Sequence, residues 1–124
     1  MKYHVAVVVI AIVSLMAINL AQAGDAAKGE KVAKKCAACH TFDKGGPARV
    51  GPNLSGVVGR KAGAVEGFKY SEAMVSAGIL WQDASLDKYL TDPKGMVPRN
   101  RMTFPGLKDA GERADLIEYL KTLK

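Results

Sequence analysis

The sequence predicts an all-α domain whose short helices are joined by long loops, and three observations carry that prediction. Apolar residues recur at spacings near 3.6 in several separate segments, most clearly Ala114, Leu116, Ile117 and Leu120. No segment alternates apolar and polar residues as a half-buried strand does. The stretch from Thr41 to Tyr70 holds seven of the 13 glycines and two of the five prolines, a composition of turns and irregular backbone. A loop region of that length is unusual in a compact domain unless it has a function, and wrapping a large flat group is such a function.

The first element is an address. Lys2 gives a thin positive start, Val5 to Ile18 is almost unbroken apolar sequence, and Ala21-Gln22-Ala23 is an A-x-A cleavage pattern. Residues 1–23 therefore read as a cleaved secretory signal peptide, which points to the periplasm. The apolar run falls short of the roughly 20 residues that span a bilayer. Cleavage leaves residues 24–124, one small domain with 17 basic and 12 acidic side chains, a net charge of +5. With an export signal and scattered lysines, that charge points to acidic protein surfaces and away from nucleic acid.

Along the domain, Asp25 to Lys35 reads as a helix with Val32 and Ala33 inside and Lys28, Glu30, Lys31 and Lys34 outside. Gly29 in its interior costs about 1 kcal/mol relative to alanine, so close approach of another helix is expected there. After the glycine-rich loops, Ser71 to Ala77 reads as a short helix closed by Gly78. Asp83 or Ser85 can cap a helix running to about Thr91, with Leu86, Tyr89 and Leu90 facing inward. Asp92-Pro93 starts a further short turn, and Asp109 begins the last helix, whose C-terminal dipole favours Lys121 and Lys124. The expectation is about five helices.

The chemistry concentrates in Cys36-Ala-Ala-Cys39-His40. Two thiols three positions apart can reach the two vinyl groups of one porphyrin, and the following imidazole is carried under the iron. C-x-x-C-H is accordingly read as attachment of one covalent haem c, with His40 as an axial ligand. A zinc site would need a second pair of ligands, and the chain has only these two cysteines and one other histidine, His4. A thioredoxin-like redox pair would need a βαβ setting, for which the β-branched runs are missing. For the opposite face of the iron the candidates are Met74, Met96 and Met102, or no ligand at all. Met74 lies in a helical pattern, where methionine is more often core filler. Met102 lies in an irregular loop bounded by Pro98 and Pro105, which cannot become helix and can press a thioether onto a metal. Spacing favours Met102 over Met96. His/Met ligation is the electron-transfer choice.

These residues resemble the class I c-type cytochromes, in particular the bacterial cytochrome c-two branch that is similar to mitochondrial cytochrome c. The resemblance runs from Gly24 to Lys124 through Gly51-Pro52-Asn53-Leu54, Val58-Gly59-Arg60-Lys61, Gly67-Phe68-Lys69-Tyr70-Ser71, Leu80-Trp81, Tyr89-Leu90-Thr91-Asp92-Pro93-Lys94 and Met102-Thr103-Phe104. It implies the cytochrome c fold and Met102 as the second iron ligand. It also implies that the Pro52 carbonyl meets the free ring nitrogen of His40, and that Arg60, Tyr70 and Trp81 bond the inner propionate. Tyr89 would lie near the Met102 sulfur, Phe104 would shield the haem edge, and Gly29 would let the first helix cross the last. Met74 stands where many relatives carry asparagine and Asn100 where many carry threonine, so the family's usual polar network beside Tyr89 does not carry over to this sequence from the resemblance.

The function implied is a soluble, monomeric one-electron carrier. Its expected partners are the acidic surfaces of membrane redox complexes: a quinol-oxidising cytochrome complex, and a terminal oxidase or photosynthetic reaction centre. The alternatives are a haem subunit of a larger dehydrogenase and a haem peroxidase-like enzyme; the latter needs an open iron position, which Met102 would close.

Overall fold

A computed structural model describes residues 24–124; the expected export signal at 1–23 lies outside the described residues. Helix α1 (Ala26–Val32) starts at Asp25, whose side chain accepts from the Lys28 amide at 3.1 Å. It tightens into a 3-10 turn at Ala33–Lys35, so the helix expected to reach Lys35 changes pitch in its last turn. That turn delivers Cys36 and His40 onto a loop. Ser71 caps α2 (Glu72–Ser76), and α4 (Pro93–Met96) is a single turn capped by Asp92 with proline at its start.

Helix α3 spans Asp83–Thr91 and buries Leu86, Tyr89 and Leu90. Its cap differs from expectation. The capping residue is Gln82, and Ser85 acts from inside the helix, its hydroxyl accepting from the Gln82 amide at 2.9 Å. Asp83 lies one position inside, where its charge answers Lys121 of the last helix at 2.7 Å. Helix α5 (Ala110–Lys121) is capped by Asp109 and buries Leu116, Ile117 and Leu120.

Helices α1 and α5 cross where the chain is thinnest. A Cβ built on Gly29 would stand 1.9 Å from the Asp115 carbonyl oxygen and 2.8 Å from the Tyr119 Cβ. Only glycine allows that approach, which accounts for a poor helix former inside α1. The Asp25 amide donates to the Asp115 carboxylate at 2.8 Å and anchors the start of α1 on α5.

Residues 41–70 contain no helix. They are held by isolated backbone bonds: Gly51 N–H to the Cys39 carbonyl at 2.8 Å, Leu54 to Thr41 at 2.9 Å, and Gly56 to Leu123 at 2.7 Å. A single antiparallel bridge joins Lys61 to Leu80, and no strand occurs among the described residues. Loops above and helices α3 and α5 beside leave one large concavity between them.

Candidate functional site

That concavity is a cavity of about 760 Å³ with a mostly apolar lining. Its walls come from every part of the domain: the Cys36–His40 loop, the glycine-rich loops, α3, the 98–105 loop and α5. All ten site residues expected from the sequence line it: Cys36, Cys39, His40, Pro52, Arg60, Tyr70, Trp81, Tyr89, Met102 and Phe104. Met74 also reaches the lining. Met96 does not; it packs partly buried at the end of α4, beside a separate shallow groove with Asp87 and Asp92.

His40 is fixed from two sides. Its Nδ1 lies 2.7 Å from the Pro52 carbonyl, which makes Nδ1 the protonated nitrogen and leaves Nε2 with its lone pair. Gly51 closes on the ring: a Cβ there would fall 2.4 Å from the imidazole Cε1. Burial lowers the His40 pKa, the Pro52 bond opposes that shift, and the Arg60 charge adds to it, so the ring is neutral at pH 7. A neutral imidazole with a free Nε2 is a metal ligand in waiting.

Cys36 and Cys39 are both free thiols, half-buried at the cavity wall. Burial, then the neighbouring Cys39, raises the Cys36 pKa against a smaller opposing effect of Lys35. A thiol held protonated is a poor redox nucleophile, which argues against a thioredoxin-like pair. No cluster of three or more His, Cys, Asp or Glu side chains capable of holding a metal ion occurs among the described residues.

The loop after α4 places Met102 with its sulfur 3.9 Å from the Tyr89 hydroxyl, which donates toward it. Tyr89 is buried against Trp81, ring centroids 4.9 Å apart, and burial pushes its phenol up to about 12. Arg60 lies half-buried with its guanidinium donating to the carbonyls of Ser55 at 3.2 Å and Asn53 at 3.0 Å. Among the described residues no carboxylate pairs with it. A partly desolvated cation without an acidic partner, on an apolar wall, suits an anionic group entering the cavity. The Tyr70 hydroxyl accepts from the Val65 amide at 3.1 Å, and the ring stacks edge-on with Phe68 at 4.8 Å. Two thiols, a neutral imidazole, a thioether and that guanidinium fit a flat metal-bearing group with anionic edges.

Sequence reading missed two contributors. Gly51 was legible only as part of a motif, because its closeness to His40 is a tertiary fact. Asn100 is 3 % exposed and fully engaged, its amide group donating to the Pro93 and Val97 carbonyls and its oxygen accepting from Met102 N–H.

Comparison with known proteins agrees with this geometry. A sequence model of the family described as cytochrome c matches residues 26–124. The chain is 52% identical over 102 residues to a cytochrome c of Chlamydomonas reinhardtii, covering 82% of this chain and 91% of that protein. It is 49% identical over 100 residues to a cytochrome c2 of Rhodomicrobium vannielii, covering 81% and 80% respectively. It is also 50% identical over 106 residues to a cytochrome c homolog of Bradyrhizobium diazoefficiens, covering 85% of this chain and 58% of that one.

Proposed function

Because the chain belongs to the cytochrome c family, we propose that it is an exported one-electron carrier working between membrane redox complexes. Proteins of this family are haem-containing electron carriers rather than enzymes, with one covalently attached haem c, and Cys36 and Cys39 are the two thiols that can hold it here. When bound, the haem supplies a one-electron couple at its iron.

The remaining tasks fall to the side chains around the cavity. Cys36 and Cys39 would hold the ring, each thiol adding across one of its vinyl groups to form a thioether. His40 offers Nε2 to the iron, and the Pro52 carbonyl holds its tautomer and orientation. Met102 would offer its sulfur to the iron, and Tyr89 directs a hydroxyl at that sulfur. Arg60, Tyr70 and Trp81 receive the inner propionate, and Phe104 excludes water at the exposed edge. The observation that carries this reading is that one cavity gathers both free thiols, the neutral His40 and the Met102 sulfur, while Met96 stands outside it.

Paired variants of the oxidised holoprotein test the ligand assignment. Met102→Ala should abolish the sulfur–iron charge-transfer absorption, lower the potential and admit carbon monoxide to the reduced protein. Met96→Ala should leave all three unchanged. The opposite pattern would transfer the role to Met96.

Similarity to a bacterial cytochrome c2 supports a periplasmic location, and the A-x-A pattern at Ala21-Gln22-Ala23 is the basis for proposing removal of a signal peptide after Ala23. No helix among the described residues is long and apolar enough to cross a membrane. Lys35, Arg49, Lys69 and Arg101 stand on the cavity lining. Such cations steer transient encounters with acidic surfaces of a quinol-oxidising cytochrome complex and of a terminal oxidase or photosynthetic reaction centre.

A further inference from the structure

We infer that Asn100 is a positioning residue for the Met102 sulfur, a buried clasp that ties the loop carrying Met102 to helix α4. The inference rests on Met102 being an axial ligand.

The loop's other polar tethers lie at its exposed surface: Arg101 donates to the Lys69 carbonyl at 3.2 Å and Lys108 to the Pro105 carbonyl at 3.4 Å. Pro98 and Pro105 carry no amide hydrogen, and the chain from Val97 to Asn100 turns with proline second and Arg99 third, the third at φ +66°. That pattern is a type II turn, whose third position normally takes glycine because a side chain is strained there. The Asn100 amide closes the turn on the Val97 carbonyl at 3.1 Å. Left to itself, a turn with a strained Arg99 would relax and carry Met102 with it.

Asn100 counters this with its whole side chain. Its Nδ2 donates to the Pro93 carbonyl at 2.9 Å and to the Val97 carbonyl at 2.8 Å, gripping both ends of α4. Its Oδ1 accepts from the Met102 amide at 2.8 Å, two residues ahead, which is an Asx-turn. The Lys94 ammonium donates to the Asn100 backbone carbonyl from the same helix. Every polar atom of a residue only 3 % exposed is therefore spent on fixing α4 against the Met102 backbone. Buried hydrogen bonds of this kind are costly to leave unmade, so the loop cannot swing outward without breaking several at once.

The consequence is kinetic. Displacing the Met102 sulfur from iron by an external ligand requires the loop to open, so the clasp sets the opening rate. Imidazole binding to the oxidised holoprotein, followed by loss of the sulfur–iron band, reads that rate. Asn100→Ala should bind imidazole roughly fivefold faster, the factor that corresponds to one net hydrogen bond of about 1 kcal/mol. Asn100→Ser keeps an acceptor for the Met102 amide through a serine turn and loses a donor, so it should fall between alanine and wild type. Asp109→Ala, which removes the α5 cap and leaves the loop intact, is the stability control: it should unfold more readily yet bind imidazole at the wild-type rate.

Unchanged imidazole binding in Asn100→Ala would overturn the inference, as would an equal acceleration in Asp109→Ala. If Asn100→Ala yields no folded holoprotein, the Asn100→Ser rate decides alone. Met102→Ala separates the two layers. Should it keep the sulfur–iron band, the ligand assignment itself fails; should it lose the band while the Asn100 variants match wild type, only the clasp fails.

Discussion

Arg99 shows how one residue can oppose the fold it belongs to. Its φ of +66° lies in the left-handed region, where an L side chain costs roughly 1 kcal/mol or more. Glycine there would relieve the strain, at the expense of extra freedom in the unfolded chain that offsets about 0.4–1 kcal/mol. Arg99→Gly is therefore expected to stabilise the holoprotein by up to about 1 kcal/mol, read as a higher guanidinium midpoint at constant slope. A lower midpoint would mean that the exposed Arg99 side chain contributes more than its backbone costs. Nothing in the sequence announces this position, because arginine is a poor marker of left-handed backbone. The flanking prolines are legible, and they correctly mark a loop that cannot be helix. The attachment motif is legible for the same reason: its chemistry is local, needing only spacing. Arg60 was reached only through the family resemblance, since the physical basis for its role, a half-buried guanidinium with no carboxylate partner among the described residues, is a fact of three-dimensional neighbourhood.

At the scale of elements, periodicity located the helices and misjudged their ends. The apolar stripe of α5 and the inward face of α3 stand where 3.6-residue spacing puts them, because burial follows that period whatever the neighbours. The α3 cap shifted to Gln82 because Asp83 and Ser85 found other partners: Lys121 for the former, the Gln82 amide and the Leu80 carbonyl for the latter. Capping preferences are weak beside such tertiary options. Gly29 was the more informative signal. Replacing it with alanine would add about 1 kcal/mol of helix propensity to α1, yet the new methyl would meet the Asp115 backbone at 1.9 Å. Backbone cannot yield as a side-chain tip can, and overpacking costs typically 1–3 kcal/mol. Gly29→Ala should therefore lower stability by about 1–2 kcal/mol in denaturant unfolding of the holoprotein. A gain would show that α1 can slide along α5.

The whole molecule is built around space rather than around a self-sufficient core. Leu86, Tyr89, Leu90, Leu116 and Leu120 belong to the buried core and also face the cavity of about 760 Å³. Left dry, a void of that size at about 24 cal/mol per Å³ would exceed the roughly 5–15 kcal/mol of a typical domain's stability. Filled with water, its apolar walls would lose the burial that justifies them. Either way the chain needs the group it encloses. A Cys36→Ala, Cys39→Ala double variant prepared without haem should give collapsed amide dispersion in NMR spectra; dispersed, native-like spectra would show that the loops can close on themselves. The placement of α5 carries a further consequence, one of timing. Leu116 and Leu120 form part of the cavity wall, and α1 has its partner only when α5 is present. A chain crossing a membrane from its N-terminus would present Cys36, Cys39 and His40 long before Ala110 emerges. During that interval the attachment residues would be accessible before the last wall arrives, so a rigid disc could be fastened first. The final helix would then dock across α1 and close a site already loaded.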